Sequence, residues 1–188
     1  MNNWNKHNDV DVITACAAGD RSALEELSRR YYRQAYSMAL LNVRQPDIAL
    51  DIAQEAFIRI FRHIKRFDTS RSFSAWMYVI VRNLSHNYRE RKKKRMTTFS
   101  DMTDESVLER GSRNTEESLE RRERKRLLWR ALNELNEKER EIIVLKDIEG
   151  FSYRELSECL SIPEGTVMSR LYNARKKLAA MLKPEELR

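Results

Sequence analysis

Arg170 can donate two hydrogen bonds to a guanine, Asn173 can pair with an adenine edge, and Ser169 can reach a phosphate or a base. They stand close together with Thr166, Met168, Tyr172 and Lys176, in a stretch whose exposed positions are polar and basic. A second set lies upstream, where Arg82, Asn83, His86 and Asn87 share a polar face with Tyr78, Arg89 and Arg91. Amides can read the edge of an extruded base, arginines can hold its backbone, and aromatic rings beside them suit unstacked, single-stranded bases. Trp76 and Tyr78 read more readily as packing or boundary residues than as stacking platforms. A third set is acidic: Asp47, Asp51 and Glu55 recur at helical spacing. Such a face could hold a metal, but a lone acidic face is usually solvated or protein-binding. His7, His63 and His86 form no ligand set, no Ser-His-Asp or paired-carboxylate layout emerges, and no phosphate loop is present. Cys16 and Cys159 fit neither metal nor redox spacing. These features favour binding over catalysis, with no cofactor and no metal.

The elements that must carry these groups are helices. Only 4 Gly and 3 Pro punctuate 188 residues, too few for a sheet protein with many tight turns. The predicted class is therefore all-α. Gly19 should end a short helix near 9–18, and Asp20 or Ser22 should cap the next, Ser22-Ala-Leu-Glu25 having the capping-box form. Leu24, Leu27, Tyr31, Ala35, Met38 and Leu41 then recur on one face. Pro46-Asp47 opens a third helix with Ile48, Ile52, Ala56, Phe57, Ile60, Phe61 and Ile64 as its apolar set. Phe67–Arg71 is a loop containing Asp68 and Arg71, and a helix with Phe73, Trp76, Met77, Ile80 and Leu84 on one face follows. Four such stripes can bury one another in a bundle.

A second helical module lies beyond a stretch rich in Ser, Thr, Asp and Asn, residues 96–115, that reads as a flexible linker. Asn136-Glu-Lys-Glu139 and Ser152-Tyr-Arg-Glu155 have the form of helix caps. Gly150 breaks the chain, Ser161–Gly165 is a tight turn, and Thr166-Val167 opens the last helix. Residues 152–177 thus have helix-turn-helix form, with Leu156, Ile162, Val167 and Leu171 holding the second helix at a fixed angle. Its exposed side can then enter a major groove. Arg170, Arg175, Lys176 and Lys177 favour DNA over an ordinary helical hairpin.

Charge agrees with this division. The chain carries 36 Lys and Arg against 29 Asp and Glu, a net charge of +7. Residues 59–95 alone carry net +10 and residues 96–120 net −5. A basic block of this density suggests a polyanionic partner, although Arg91–Arg95 by itself reads equally well as a solvated tail. No apolar run approaches the roughly 18 residues of a membrane span, and the N-terminus lacks the apolar core of a signal peptide. The expected location is cytoplasmic, without disulfides or membrane insertion.

Asp51-Ile-Ala-Gln-Glu-Ala-Phe57, Phe73-Ser-Ala-Trp76-Met-Tyr78, Arg82-Asn83, Gly150-Phe-Ser-Tyr-Arg-Glu155 and Gly165-Thr-Val-Met-Ser-Arg170, in this order, resemble the bacterial extracytoplasmic-function (ECF) sigma factors of the sigma-70 family. The resemblance covers nearly the whole chain. It implies a sigma-2-like helix bundle over residues 1–95, a linker over 96–115 and a sigma-4-like helix-turn-helix domain over 116–188. It also implies a transcription initiation factor that directs RNA polymerase core to promoters. By position, Asp51, Gln54 and Glu55 would contact the β′ clamp helices, and the second domain would meet the β flap. Asp68 and Arg71 of the loop, with Arg82, Asn83, His86 and Asn87, would capture flipped bases of the −10 element. Thr166, Met168, Ser169, Arg170, Tyr172, Asn173 and Lys176 would read the −35 element. Met168 and Asn173 stand where many relatives carry Lys or Arg, so the −35 preference and its salt dependence can differ. The acidic linker resembles the segment that threads near the polymerase active site, and an anti-sigma factor is the expected regulator. The competing readings are a stand-alone helix-turn-helix regulator, which would need a dimer interface, and a metal-dependent enzyme acting on nucleic acid.

Overall fold

The computed structural model describes residues 4–96 and 119–182, all helix and short connections with no strand among them. The predicted linker, apart from its first residue, lies outside the described residues. The chain divides into two compact units, Met1–Arg110 and Gly111–Arg188.

The first unit holds α1 (Asp9–Ala18), α2 (Arg21–Val43), α3 (Pro46–His63) and α4 (Phe73–Met96), with 3-10 turns at Trp4–Lys6 and Ile64–Arg66. Its helix ends are written locally. Asn8 accepts the Asp11 N–H at 2.9 Å to start α1, and Gly19 ends it in the left-handed region at φ 92°. Asp20, not Ser22, caps α2: its carboxylate accepts the Ser22 and Ala23 N–H groups at 2.8 and 3.2 Å, and the Ser22 hydroxyl donates to it as well. The capping-box form at Ser22 is therefore inside the first turn rather than at the cap. Pro46 sits in the first turn of α3, where no N–H is missed.

α2 packs on α1, α3 and α4, and α3 also packs on α4. Leu27 and Met38 of α2, Ile60 of α3 and Met77, Tyr78 and Val81 of α4 are fully buried between them. A polar clasp fixes the N-terminus to α2. Arg30 donates to Asp9 at 2.7 Å and to the Trp4 carbonyl at 2.6 Å, and Trp4 Nε1 donates to Ser22 Oγ at 2.8 Å. Buried Glu26 accepts from both Arg29 and Arg30, and these hydrogen bonds draw its carboxyl down to about 2.

The second unit holds α5 (Leu119–Glu134), α6 (Glu137–Ile143), α7 (Tyr153–Leu160) and α8 (Glu164–Met181). α6 runs directly into one wide π-helical turn, Val144–Ile148. Full capping boxes start α6 (Asn136 with Glu139) and α7 (Ser152 with Glu155). Gly150 turns the chain at φ 78°. Leu132, Ile142, Leu145, Phe151, Leu156 and Leu171 form the core. The turn before α8 is shorter than the sequence suggests. Ser161 takes the left-handed conformation at φ 55°, Ser157 Oγ donates to the Ile162 carbonyl at 2.6 Å, and α8 begins at Glu164 just after Pro163. This bond from the Ser157 hydroxyl to the backbone closes the turn early, so Glu164 and Gly165 belong to the first helical turn.

Candidate nucleic-acid interface

α8 is buried along one side and open along the other. Val167, Leu171 and Ala174 are buried against the unit's core, while Met168, Ser169, Arg170, Tyr172, Asn173 and Lys176 are exposed. Thr166 is half-buried, and its carbonyl accepts the Ser169 hydroxyl at 3.1 Å. Six of the seven residues expected to read duplex DNA thus lie together on one open face. Leu156 and Val167 hold the helix as expected, and Ile162 is half-buried. Ala174 and Cys159 join this contact unannounced by the helix-turn-helix spacing.

Two cations that favoured DNA are engaged within the unit. Arg175 donates from Nε to Asp147 at 3.0 Å and from its terminal nitrogen to the same carboxylate, and this pairing raises the guanidinium above its ordinary value. Lys177 donates to Glu139, holding that carboxyl below the usual range. Both bonds fasten α8 to the α6–π segment. Arg170 and Lys176 have no side-chain partner among the described residues.

In α4, Asn83, His86 and Asn87 are exposed, and Arg82 and Arg89 are half-buried. Tyr78 does not join them: it is 0% exposed. Both α2 and α3 cover α4, so its buried stripe is wider than one neighbour would make it, and Tyr78 falls inside it with Met77 and Val81. Trp76 is half-buried and belongs to a ring cluster: Phe67 lies 4.8 Å from Trp76 and 5.7 Å from Phe73, and Tyr31 lies 4.6 Å from Phe73 between centroids. This cluster braces the loop between the 3-10 turn and α4. Within the loop, Asp68 accepts the Ser70 N–H at 3.0 Å, and the hydrogen bonds from Ser70 draw its carboxyl below the ordinary value. Asp68 and Arg71 are exposed at its rim. The bracing role of Phe67 was not evident from its place in a loop; its spacing from Phe73 and Trp76 was the available signal.

α3 turns Asp47, Asp51 and Gln54 outward, with Glu55 half-buried and paired to Arg59 at 2.8 Å. Leu50 and Ile58, 41% and 52% exposed, share this side. The acidic spacing of this face carries no sign of these two apolar groups. Among the described residues no three His, Cys, Asp or Glu side chains come together as a metal site, and no helix is long and apolar enough to cross a membrane.

The described residues thus form two all-α units, one a helix-turn-helix with an open basic and amide-bearing face and the other a bundle edged by amides and arginines. Residues 25–95 match the family model for sigma-70 region 2, and residues 125–178 match that for sigma-70 region 4. The chain is 33% identical over 178 residues to the ECF RNA polymerase sigma factor SigW of Bacillus subtilis, covering 88% of this chain and 91% of that protein. It is 29% identical over 182 residues to the ECF RNA polymerase sigma-E factor of Escherichia coli K12, covering 94% and 95%. In fold it resembles the sigma factor RpoE of Bartonella quintana, solved with the anti-sigma factor NepR, at a TM-score of 0.72 and 22% identity, over 85% of this chain and 96% of that one. It also resembles CnrH, solved with the cytosolic domain of CnrY, at a TM-score of 0.64 and 25% identity, over 92% and 96%. The chain belongs to the ECF RNA polymerase sigma factors: it is a promoter-specific initiation factor for RNA polymerase, not an enzyme.

Proposed function

We propose that the two units divide promoter recognition between them. The outer face of α3, with Asp51, Gln54 and Glu55, docks on the β′ clamp helices, and the second unit touches the β flap. The open face of α8 then grips −35 duplex: Arg170 and Asn173 read base edges, Ser169 reaches a phosphate or base, and Thr166, Met168, Tyr172 and Lys176 complete the contact. Asn83, His86, Asn87 and Arg82 of α4, with Asp68 and Arg71 of the loop, hold unstacked −10 bases of one strand. Binding energy offsets unstacking, which costs a few kcal/mol per base, so no nucleotide hydrolysis is required. The domain limits are 1–95 and 116–188, with the acidic stretch 96–115 as the tether. The protein works in the cytoplasm, where polymerase and chromosome meet, and an anti-sigma factor covers it, as NepR and CnrY accompany the related chains in their solved complexes.

The observation that carries this reading is α8 itself, buried along Val167, Leu171 and Ala174 and open along Ser169, Arg170, Asn173 and Lys176. Run-off transcription with core polymerase and a promoter library tests it. The protein should confer initiation at a defined set of promoters. On one of these, Asn83→Ala should leave polymerase binding intact and weaken permanganate reactivity of the −10 thymines; unchanged melting would remove Asn83 from the −10 site.

A further inference from the structure

The open face of α8 divides lengthwise into two edges of unlike chemistry. With about 100° of rotation per residue, Met168 and Tyr172 lie roughly 40° apart along one edge, while Asn173 and Arg170 lie roughly 60° apart along the other. Ser169 and Lys176 run between them. Tyr172 is 68% exposed and Met168 is 49% exposed, the largest apolar groups on this face. The cation bordering the apolar edge, Arg175, is drawn aside by two hydrogen bonds to Asp147. Between Met168 and Tyr172 the apolar edge therefore presents no charge of its own; exposed Glu164 lies one turn before Met168 and Lys176 one turn after Tyr172. The cations Arg170 and Lys176 and the Asn173 amide fit a polyanion that displays base edges, not an apolar protein surface. The major groove displays one apolar group, the C5-methyl of thymine.

We propose that Met168 and Tyr172 are specificity residues that read thymine methyl groups in the −35 duplex. This rests on α8 being the groove helix. Its cationic edge reads purines through hydrogen bonds, and its apolar edge selects thymine over cytosine at neighbouring steps. A thioether and a ring face can pack on a methyl, whereas a Lys or Arg at either position would seek a phosphate or a guanine instead.

The test uses holoenzyme assembled from core polymerase and the full chain, with a −35 element selected from a randomised library. Each thymine of the element is replaced singly by deoxyuridine, which deletes only the methyl. One or two replacements should weaken binding about fourfold each, the worth of one buried methyl-sized group. That penalty should vanish in Met168→Ser or Tyr172→Ser and persist in Arg170→Ala. Both serine variants alter exposed side chains, and unchanged helix content and thermal midpoint would establish that they fold. Deoxyuridine that is silent everywhere, a penalty unchanged in the serine variants, or a selected element without an A·T pair would overturn the proposal. Replacing −35 purines by their 7-deaza analogues separates it from its premise. If 7-deaza bases weaken binding while deoxyuridine does not, only the methyl reading fails. If neither has an effect, α8 is not in the groove and both readings fail.

Discussion

The first unit turns its aromatic rings inward, and the second turns one outward. Tyr78 is fully buried, and Tyr31, Phe67, Phe73 and Trp76 form a cluster beneath the loop that carries Asp68 and Arg71. The exposed groups of this loop and of α4 include Arg71, the Asn83 and Asn87 amides and the His86 imidazole. In the second unit the core is aliphatic around Phe151, and Tyr172 stands in solvent. In the proposed division, the first unit's ring cluster would brace the loop and helix whose exposed groups meet unstacked bases. A duplex offers only groove edges, so one helix face is enough. The units also differ in what holds them. α2, α3 and α4 run to 23, 18 and 24 residues and bury one another. α6 and α7 have 7 and 8 residues, too short to persist alone. They rely on capping boxes, and α8 relies on Arg175–Asp147 and Lys177–Glu139.

Breaking the weaker unit should have the largest effect. Leu156 is fully buried beneath α8, and Leu156→Ala should cost about 2–5 kcal/mol, a large part of a small domain's stability. Hydrogen exchange should show the amides of α6, α7 and α8 losing protection while α2 and α3 keep theirs. Polymerase binding through α3 should survive, weakened by loss of the proposed flap contact, and −35 discrimination should not. An equal loss of protection in α2 and α3 would mean that the two units do not fold independently.

The first unit has its own weak point, and it is acid. Glu26 is held down to about 2 by its bonds to Arg29 and Arg30, against about 4.3 in an unfolded chain. Its contribution is complete above the unfolded value and is lost as pH falls from there toward 2. Glu26→Gln should therefore lower the stability of the first unit at neutral pH and flatten its decline between about pH 4.5 and 2. Thermal melts across that range read both effects, and a decline as steep as that of the native chain would place the acid sensitivity elsewhere.

A sharper contrast comes from specificity. Arg170→Ala should cost about 1–3 kcal/mol at one −35 base pair and little at the others. Binding measured against single −35 variants reads this. Uniform weakening would make Arg170 a phosphate clamp and leave Asn173 as the edge reader.

Much of this organisation is legible in the sequence because it is local. Gly19, Pro46, Asn136 and Ser152 act on their own helix ends, and the helix-turn-helix spacing brings Leu156, Val167 and Leu171 together. Where two local signals overlap, spacing cannot choose: Asp20 prevails over Ser22 because its carboxylate reaches two N–H groups at once. Tyr78 packs in the core, in keeping with its reading as a packing residue, although helical period groups it with the polar face, because the width of a buried stripe depends on how many neighbours cover the helix. The partners of Arg175 and Lys177 are 28 and 38 residues away, beyond any helical period. The π-helical turn at Val144–Ile148, which carries Asp147, has no sequence signature in the pattern of Ile142, Ile143, Leu145 and Ile148.

Those distant pairs set the finest distinction between the cations of α8. Each phosphate neutralised contributes about −0.9 to the slope of log affinity against log salt. Lys176 is exposed on the open face without a partner among the described residues, so Lys176→Met should flatten the holoenzyme slope by about that amount. Arg175 and Lys177 already answer carboxylates of their own unit. Arg175→Met and Lys177→Met should leave the slope unchanged and lower the second unit's stability by about 1 kcal/mol or less, the usual worth of a solvent-facing pair. Titrations at several salt concentrations, beside thermal melts of the same variants, separate the two roles. If Arg175→Met flattens the slope as Lys176→Met does, the bond to Asp147 opens on DNA. Arg175 would then border the apolar edge as a phosphate ligand, and Met168 and Tyr172 would share the groove with a charge instead of standing apart from one.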